Sequence, residues 1–312
     1  MTIAACHVSS EGVVVAADST TTTFVPGPGG ELSPPHHYNY SQKVFEFGDV
    51  GSTAVVVLWG LSVLGSKSYR TLIAEIADEA KKQNLPSLDK VAEIAVSMFW
   101  DEYSAAFEEQ VKWAQELEAK GEERTEEEND SLARLKEYLS GGFCLGGRWG
   151  AGRSPRAFAT PFGPVLTSAP SPRELAVGDY AFWGCPALVE RLWWGISPGL
   201  FQKIVESGRW TGTSDDLLSL IADSILHLPR DLPLREAIDW IYSTIYITIK
   251  AIKFSHLLPV CGGPIEIAVI TTDRPFRWVR HKRLGEAIAA YETREDWHRS
   301  DFGRSSVSMH AP

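Results

Sequence analysis

Residues 3–8 (IAACHV) and 13–18 (VVVAAD) are short runs of small and β-branched residues, and Ser9-Ser10-Glu11-Gly12 between them is turn chemistry, so the chain is predicted to open on a β-hairpin. Residues 24–36 are crowded with Pro and Gly and read as a long surface loop. A second strand pair follows at 43–47 and 53–59, turning at Gly48-Asp49-Val50-Gly51. Helical periodicity then takes over. Leu72, Ile73, Ile76, Ala77 and Ala80 fall on one face before Leu85-Pro86 breaks the run, and Ser87 can cap a second helix carrying Val91, Ile94, Ala95 and Met98.

From Asp101 to Glu137 there are 13 acidic and 5 basic side chains. Gly121 breaks this stretch and Thr125-x-x-Glu128 is a capping-box signature, so a solvated helical hairpin is expected, with an acidic docking surface as the alternative. Strand signals resume at 142–149, 156–160 and 177–183, and a helix is expected after Gly184. Residues 213–227 and 234–254 are again helical in pattern. Gly262-Gly263-Pro264 leads into closing strands at 265–271 and 276–281. Strands first, helices next, then strands, helices and strands again predict an α+β fold of two sheets between helical layers.

Composition narrows the function classes. The 312 residues are 44% hydrophobic and 22% charged, ordinary for a soluble chain with a sizeable core. A formal charge of −10 and a pI near 5.3 argue against nucleic acid and anionic membrane surfaces as partners, because both need clustered Lys and Arg. Cys6, Cys144, Cys185 and Cys261 lie far apart with no C-x-x-C pair, so neither a disulfide framework nor a zinc site is signalled, and a reducing cytoplasm is expected. His36 and His37 are adjacent in an extended segment, where successive side chains point apart, which suits loop polarity better than chelation. The first 25 residues lack a basic start followed by an unbroken apolar core, so no secretory signal is expected there. Thr53–Gly65 and Ile238–Phe254 are too short or too polar to span a bilayer.

A four-residue turn over 9–12 pairs Val8 with Val13, which places Thr2 opposite Ser19 with Asp18 as its diagonal neighbour. Removal of Met1, which a small second residue permits, would leave a free α-amine on the hydroxyl-bearing residue itself. Such an amine has a pKa of about 7.7–8.0 and can accept the hydroxyl proton near neutral pH. A lysine nearby lowers that pKa by repulsion, and a carboxylate aims the lysine. Lys43 and Asp18 are the candidates; an edge-strand threonine and a turn aspartate fit the same spacing.

The opening TIAACHVSSEGVVVAADSTTT, then KVFEFGD, then an apolar strand ending in WGL and two helices, resembles the N-terminal half of proteasome β subunits and their bacterial HslV-type relatives. VGDYAFWGCPALVERL and CGGPIEIAVIT are similar to later strand and helix segments of that superfamily. The resemblance covers roughly residues 2–20, 43–100, 142–197 and 234–272.

It implies a four-layer αββα sandwich of the N-terminal-nucleophile hydrolases over residues 1–282, with insertions near 21–42 and 101–140 and a C-terminal extension at 283–312. It further implies a threonine-type peptidase in which Thr2 is nucleophile and base, Asp18 and Lys43 assist, the Gly60 N–H forms the oxyanion hole and Ser19 supports. Cys185 and Cys261 stand where the superfamily has supporting serines, and Leu258 where it has an aspartate. No metal or organic cofactor is expected. Peptides or unfolded segments are the expected substrates, and a homo-oligomer, commonly a ring, the expected state, with any ATPase or other assembly partner open. A small-amide hydrolase and a catalytically silent scaffold are the alternatives.

Overall fold

The computed structural model describes residues 2–23, 36–48, 51–65, 67–150, 152–256 and 258–282. The extension predicted at 283–312 and most of the Pro-Gly loop at 24–36 lie outside the described residues. The architecture is mixed α+β, built on two five-stranded antiparallel sheets. The strands are β1 (Ile3–Val8), β2 (Gly12–Ala17), β3 (Thr21–Thr23), β4 (His36–Tyr38), β5 (Val44–Glu46), β6 (Ala54–Trp59), β7 (Gly141–Gly147), β8 (Arg156–Phe162), β9 (Arg173–Glu174), β10 (Tyr180–Gly184), β11 (Glu266–Thr271) and β12 (Arg277–Arg280). The first sheet runs β10-β1-β2-β11-β12, the second β5-β6-β7-β8-β9, and β3 and β4 form a separate ribbon.

The opening hairpin has the register its turn dictates. Val8 lies opposite Val13 and Ala4 opposite Ala17. Every residue of β1 and β2 is buried, because these inner strands pack one face on the second sheet and the other on the helix at 234–253. Small and β-branched side chains suit strands covered on both faces. Cys6, Val13, Val15, Val55, Val57 and Cys144 belong to one apolar cluster drawn from both sheets. Cys6 and Cys144 hydrogen-bond there, and that bond together with burial pushes the Cys6 thiol up.

Among the described residues the α-helices are α1 (Tyr69–Lys82), α2 (Leu88–Ala106), α3 (Glu108–Ala119), α4 (Glu126–Leu139), α5 (Ala187–Trp194), α6 (Pro198–Glu206), α7 (Ser214–Ile221) and α8 (Leu234–Lys253). Helix α1 buries Leu72, Ile73, Ile76, Ala77 and Ala80, the periodic face read from sequence. With α2 it packs on Val56, Leu58, Phe143 and Leu145 of the second sheet. Helix α8 presents Ile241 and Ile245 to Ile3, Val14 and Val269 of the first. The acidic segment forms α3 and α4, and the Thr125–Glu128 capping box is made in both directions. Helix α6 and the two-residue β9 were not anticipated.

His7 in β1 has no solvent exposure. Its ring stacks on Tyr180 at 3.9 Å and its Nδ1–H donates to the Asp179 carbonyl at 2.9 Å, while Nε2 has no partner among the described residues. Burial is the main cause that lowers its pKa, partly offset by Asp179. The folded chain therefore binds this proton less readily than the unfolded one. The stabilisation is present above the unfolded value of about 6.5 and is lost as pH falls through the lowered folded value. Chemical denaturation at pH 7.5 and 5.5 is expected to show a smaller acid-induced loss of stability in His7→Phe than in the wild type, whereas equal losses would refute the assignment.

Candidate active site

The centre of the site is the Asp18 carboxylate, placed where β2 ends and fully buried. Its Oδ1 accepts from the Ile3 N–H at 3.1 Å and from Lys43 Nζ at 2.7 Å. Its Oδ2 accepts from the N–H groups of Thr20 at 3.1 Å and Gly262 at 2.9 Å. Four donors thus come from the chain start, the turn after β2, the residue before β5 and the loop before β11. Lys43 is also almost fully buried and donates to the Thr20 carbonyl at 2.5 Å. Two charges removed from water are tolerable only with such complete satisfaction.

Thr2 precedes the Asp18-bound amide of Ile3 and is 3% exposed. It shares the wall of a cavity of about 280 Å³ with Lys43, Gly60, Leu61 and Val63. Gly60 holds φ +82°, and a Cβ there would lie 2.3 Å from the Ser140 carbonyl oxygen. Gly184 holds φ +85°, and a Cβ there would lie 1.9 Å from the Thr2 carbonyl oxygen. Only glycine fits either position. The neighbouring indoles of Trp59 and Trp183 stack at 4.4 Å and 6°, which ties the strand end before Gly60 to the strand end before Gly184.

Ser19 is buried behind Asp18. Its N–H donates to the Gly262 carbonyl and its carbonyl accepts from the Ser41 N–H, both at 2.9 Å. Cys185 follows Gly184 and Cys261 precedes Gly262. Their thiols hydrogen-bond to each other, and that bond and burial push Cys261 up. The structure thus brings Thr2, Asp18, Ser19, Lys43, Gly60 and the Cys185–Cys261 pair into one neighbourhood. Leu258 is half exposed, and the Ser255 hydroxyl donates to the Ile252 carbonyl at the end of α8. His37 meets the Thr22 hydroxyl across the ribbon, and no group of three metal-ligating side chains occurs among the described residues.

Sequence reasoning missed Glu266 and Lys282. Glu266 begins β11 with no exposure, and Lys282, just beyond β12, donates to it at 2.8 Å. A glutamate at the second position of the apolar run IEIAVIT was the signal available for a buried partner.

No protein-family profile and no curated protein matches the chain. Among solved structures, an Anbu mutant from Hyphomicrobium sp. strain MC1 is similar over 99% of this chain and 100% of its own, at 13% identity and a TM-score of 0.48. Assignment to the proteasome β-subunit and HslV-type superfamily is therefore corrected: neither sequence comparison supports it, and a likeness this remote carries no argument for it. The resemblance rested on short runs around Thr2, Asp18, Lys43 and Gly60 and on the later segments VGDYAFWGCPALVERL and CGGPIEIAVIT, and a tight antiparallel hairpin imposes the spacing from Thr2 to Asp18 on any sequence that forms it.

Removing one partner of the buried pair leaves the other uncompensated. Asp18→Ala is expected to cost about 3–5 kcal/mol in urea unfolding, and Asp18→Ala combined with Lys43→Met distinctly less than the sum of the single losses. Additive losses would contradict direct coupling.

Proposed function

We propose that this chain is an amide hydrolase whose nucleophile is Thr2, made competent when removal of Met1 frees its α-amine. The observation that carries the reading is the buried 2.7 Å Lys43–Asp18 ion pair in a site whose cavity Thr2 and Gly60 share. The amine takes the proton from Oγ as Oγ adds to the amide carbonyl. The Lys43 cation opposes protonation of the resting amine and favours the anionic oxygens that develop. The Gly60 N–H donates to the tetrahedral oxyanion. Collapse breaks the C–N bond, the leaving nitrogen takes the proton held by the amine, and an ester on Thr2 remains. Water, with the amine again as base, adds to the ester carbonyl and releases the acid.

Peptides and unfolded segments are the proposed substrates, and the exposed Val63 is part of the cavity wall. Ser19 braces the Asp18 turn through its hydrogen bond to Gly262, the residue after Cys261. The proposal treats residues 1–282 as one domain of four layers, helices, sheet, sheet and helices, with 101–140 inserted; the three large apolar clusters support that arrangement. Self-association is part of the proposal and accords with exposed Trp194, Leu200 and Leu220 on α5–α7. No helix among the described residues is long and apolar enough to cross a membrane.

Protein that begins at Thr2 is expected to gain one covalent adduct from a β-lactone or peptide epoxyketone, mapped to Thr2 by fragmentation. Thr2→Ala is expected to gain none, and Lys43→Ala to react at least 100-fold more slowly. Labelling that persists in Thr2→Ala would remove the basis for the reading.

A further inference from the structure

A second buried ion pair lies beside the first. Glu266 Oε2 accepts from Lys282 Nζ at 2.8 Å, and the two side chains are 0% and 5% exposed. The same Nζ donates to the Ser41 carbonyl at 2.9 Å and to Ser19 Oγ at 3.4 Å. An ammonium has three donors, and each has a partner here. Ser19 follows Asp18 in sequence, Ser41 lies two residues before Lys43, and the Ser41 N–H donates to the Ser19 carbonyl. Lys282 therefore closes the joint between the two segments that present the first pair. A buried lysine is a costly way to fill that space, because desolvating an ammonium costs several kcal/mol where an apolar side chain would pack freely.

Charge reaches across the joint as well. Burial is the largest influence lowering the Lys282 pKa; Glu266 opposes it, Lys43 lowers it further and Asp18 raises it. The ionisable groups around the two pairs are Asp18 after β2, Lys43 before β5, Glu266 in β11 and His281 and Lys282 after β12. His281 Nδ1 lies 2.7 Å from Glu266 Oε1. The thiols of Cys185 and Cys261 feel the charges of Asp18 and Lys43.

We propose that Lys282 is a positioning residue for the Thr2 site: with Glu266 it clamps the Ser19 and Ser41 segments, and its charge joins that of Lys43 in keeping the Thr2 amine unprotonated. This rests on the Thr2 reading above. Replacing Lys282 by Met removes a cation and leaves the Glu266 carboxylate without that partner. Both changes favour the protonated amine, so the acidic limb of the Thr2 acylation profile moves to higher pH. Removing both charges cancels most of the shift.

The test is the pH dependence of β-lactone acylation, followed by intact mass, in the wild type, Lys282→Met, Lys282→Arg and Glu266→Gln/Lys282→Met. Expected is an upward shift of about one pH unit in Lys282→Met, with Lys282→Arg and the double variant close to wild type. A Lys282→Met limb that stays in place, with only the rate reduced, would overturn the proposal and leave a packing role. If wild-type Thr2 takes no label at any pH, the Thr2 reading has failed and the charge role assigned to Lys282 falls with it. Amide exchange then decides the clamp by itself: at least tenfold loss of protection at Ser41 and Thr20 in Lys282→Met, with Phe143 in β7 unchanged, supports it, and unaltered protection at Ser41 and Thr20 overturns it.

Discussion

A carboxylate without solvent must have its lone pairs filled by the protein, and at Asp18 that demand organises the site. Its four donors come from places far apart in the chain: Ile3, Thr20, Lys43 and Gly262. None of those segments can move alone without leaving a buried charge undersolvated, at a cost of several kcal/mol. Thr2 is fixed because the next amide is one of the four. Lys43 is fixed because its ammonium has nowhere else to place its charge.

Packing then decides what Thr2 faces. Gly60 directly follows β6 and Gly184 ends β10, strands of different sheets, and each allows an approach that a Cβ would prevent. The Trp59–Trp183 stack links those strand ends, so contact between the sheets sets the spacing around the nucleophile. Beside the Lys43–Asp18 pair, Lys282 and Glu266 repeat the same solution, and through Ser19 and Ser41 this second pair braces the backbone that presents the first.

Much of this was legible in the chain where the determining interactions are local. The turn chemistry at 9–12 sets the hairpin register, and continuing that register puts Asp18 across from Ile3, the residue after Thr2. Helix α1 followed from its apolar face, and α4 from Thr125 and Glu128, because both signals repeat within a turn of helix. Features fixed by long-range contact were not legible. Strand β9 is two residues long and pairs at an edge, with Glu174 and Asp89 sharing Arg156. The β3–β4 ribbon spans the Pro-Gly segment, whose composition signals only a loop. Lys282 meets Ser19 across 263 residues of sequence, and no periodicity encodes such a meeting. The family assignment lacks support for a related reason, since a few local runs shared with a superfamily do not by themselves establish membership of it.

The central claim is that Thr2 supplies both the attacking oxygen and, through its own amine, the proton acceptor. Intact mass and N-terminal fragmentation of the folded, soluble protein test this most directly, because the chemistry needs that amine free. The account predicts a chain that starts at Thr2 with an unmodified amine. Folded protein that keeps Met1 throughout, or carries an acylated Thr2 amine, would contradict it.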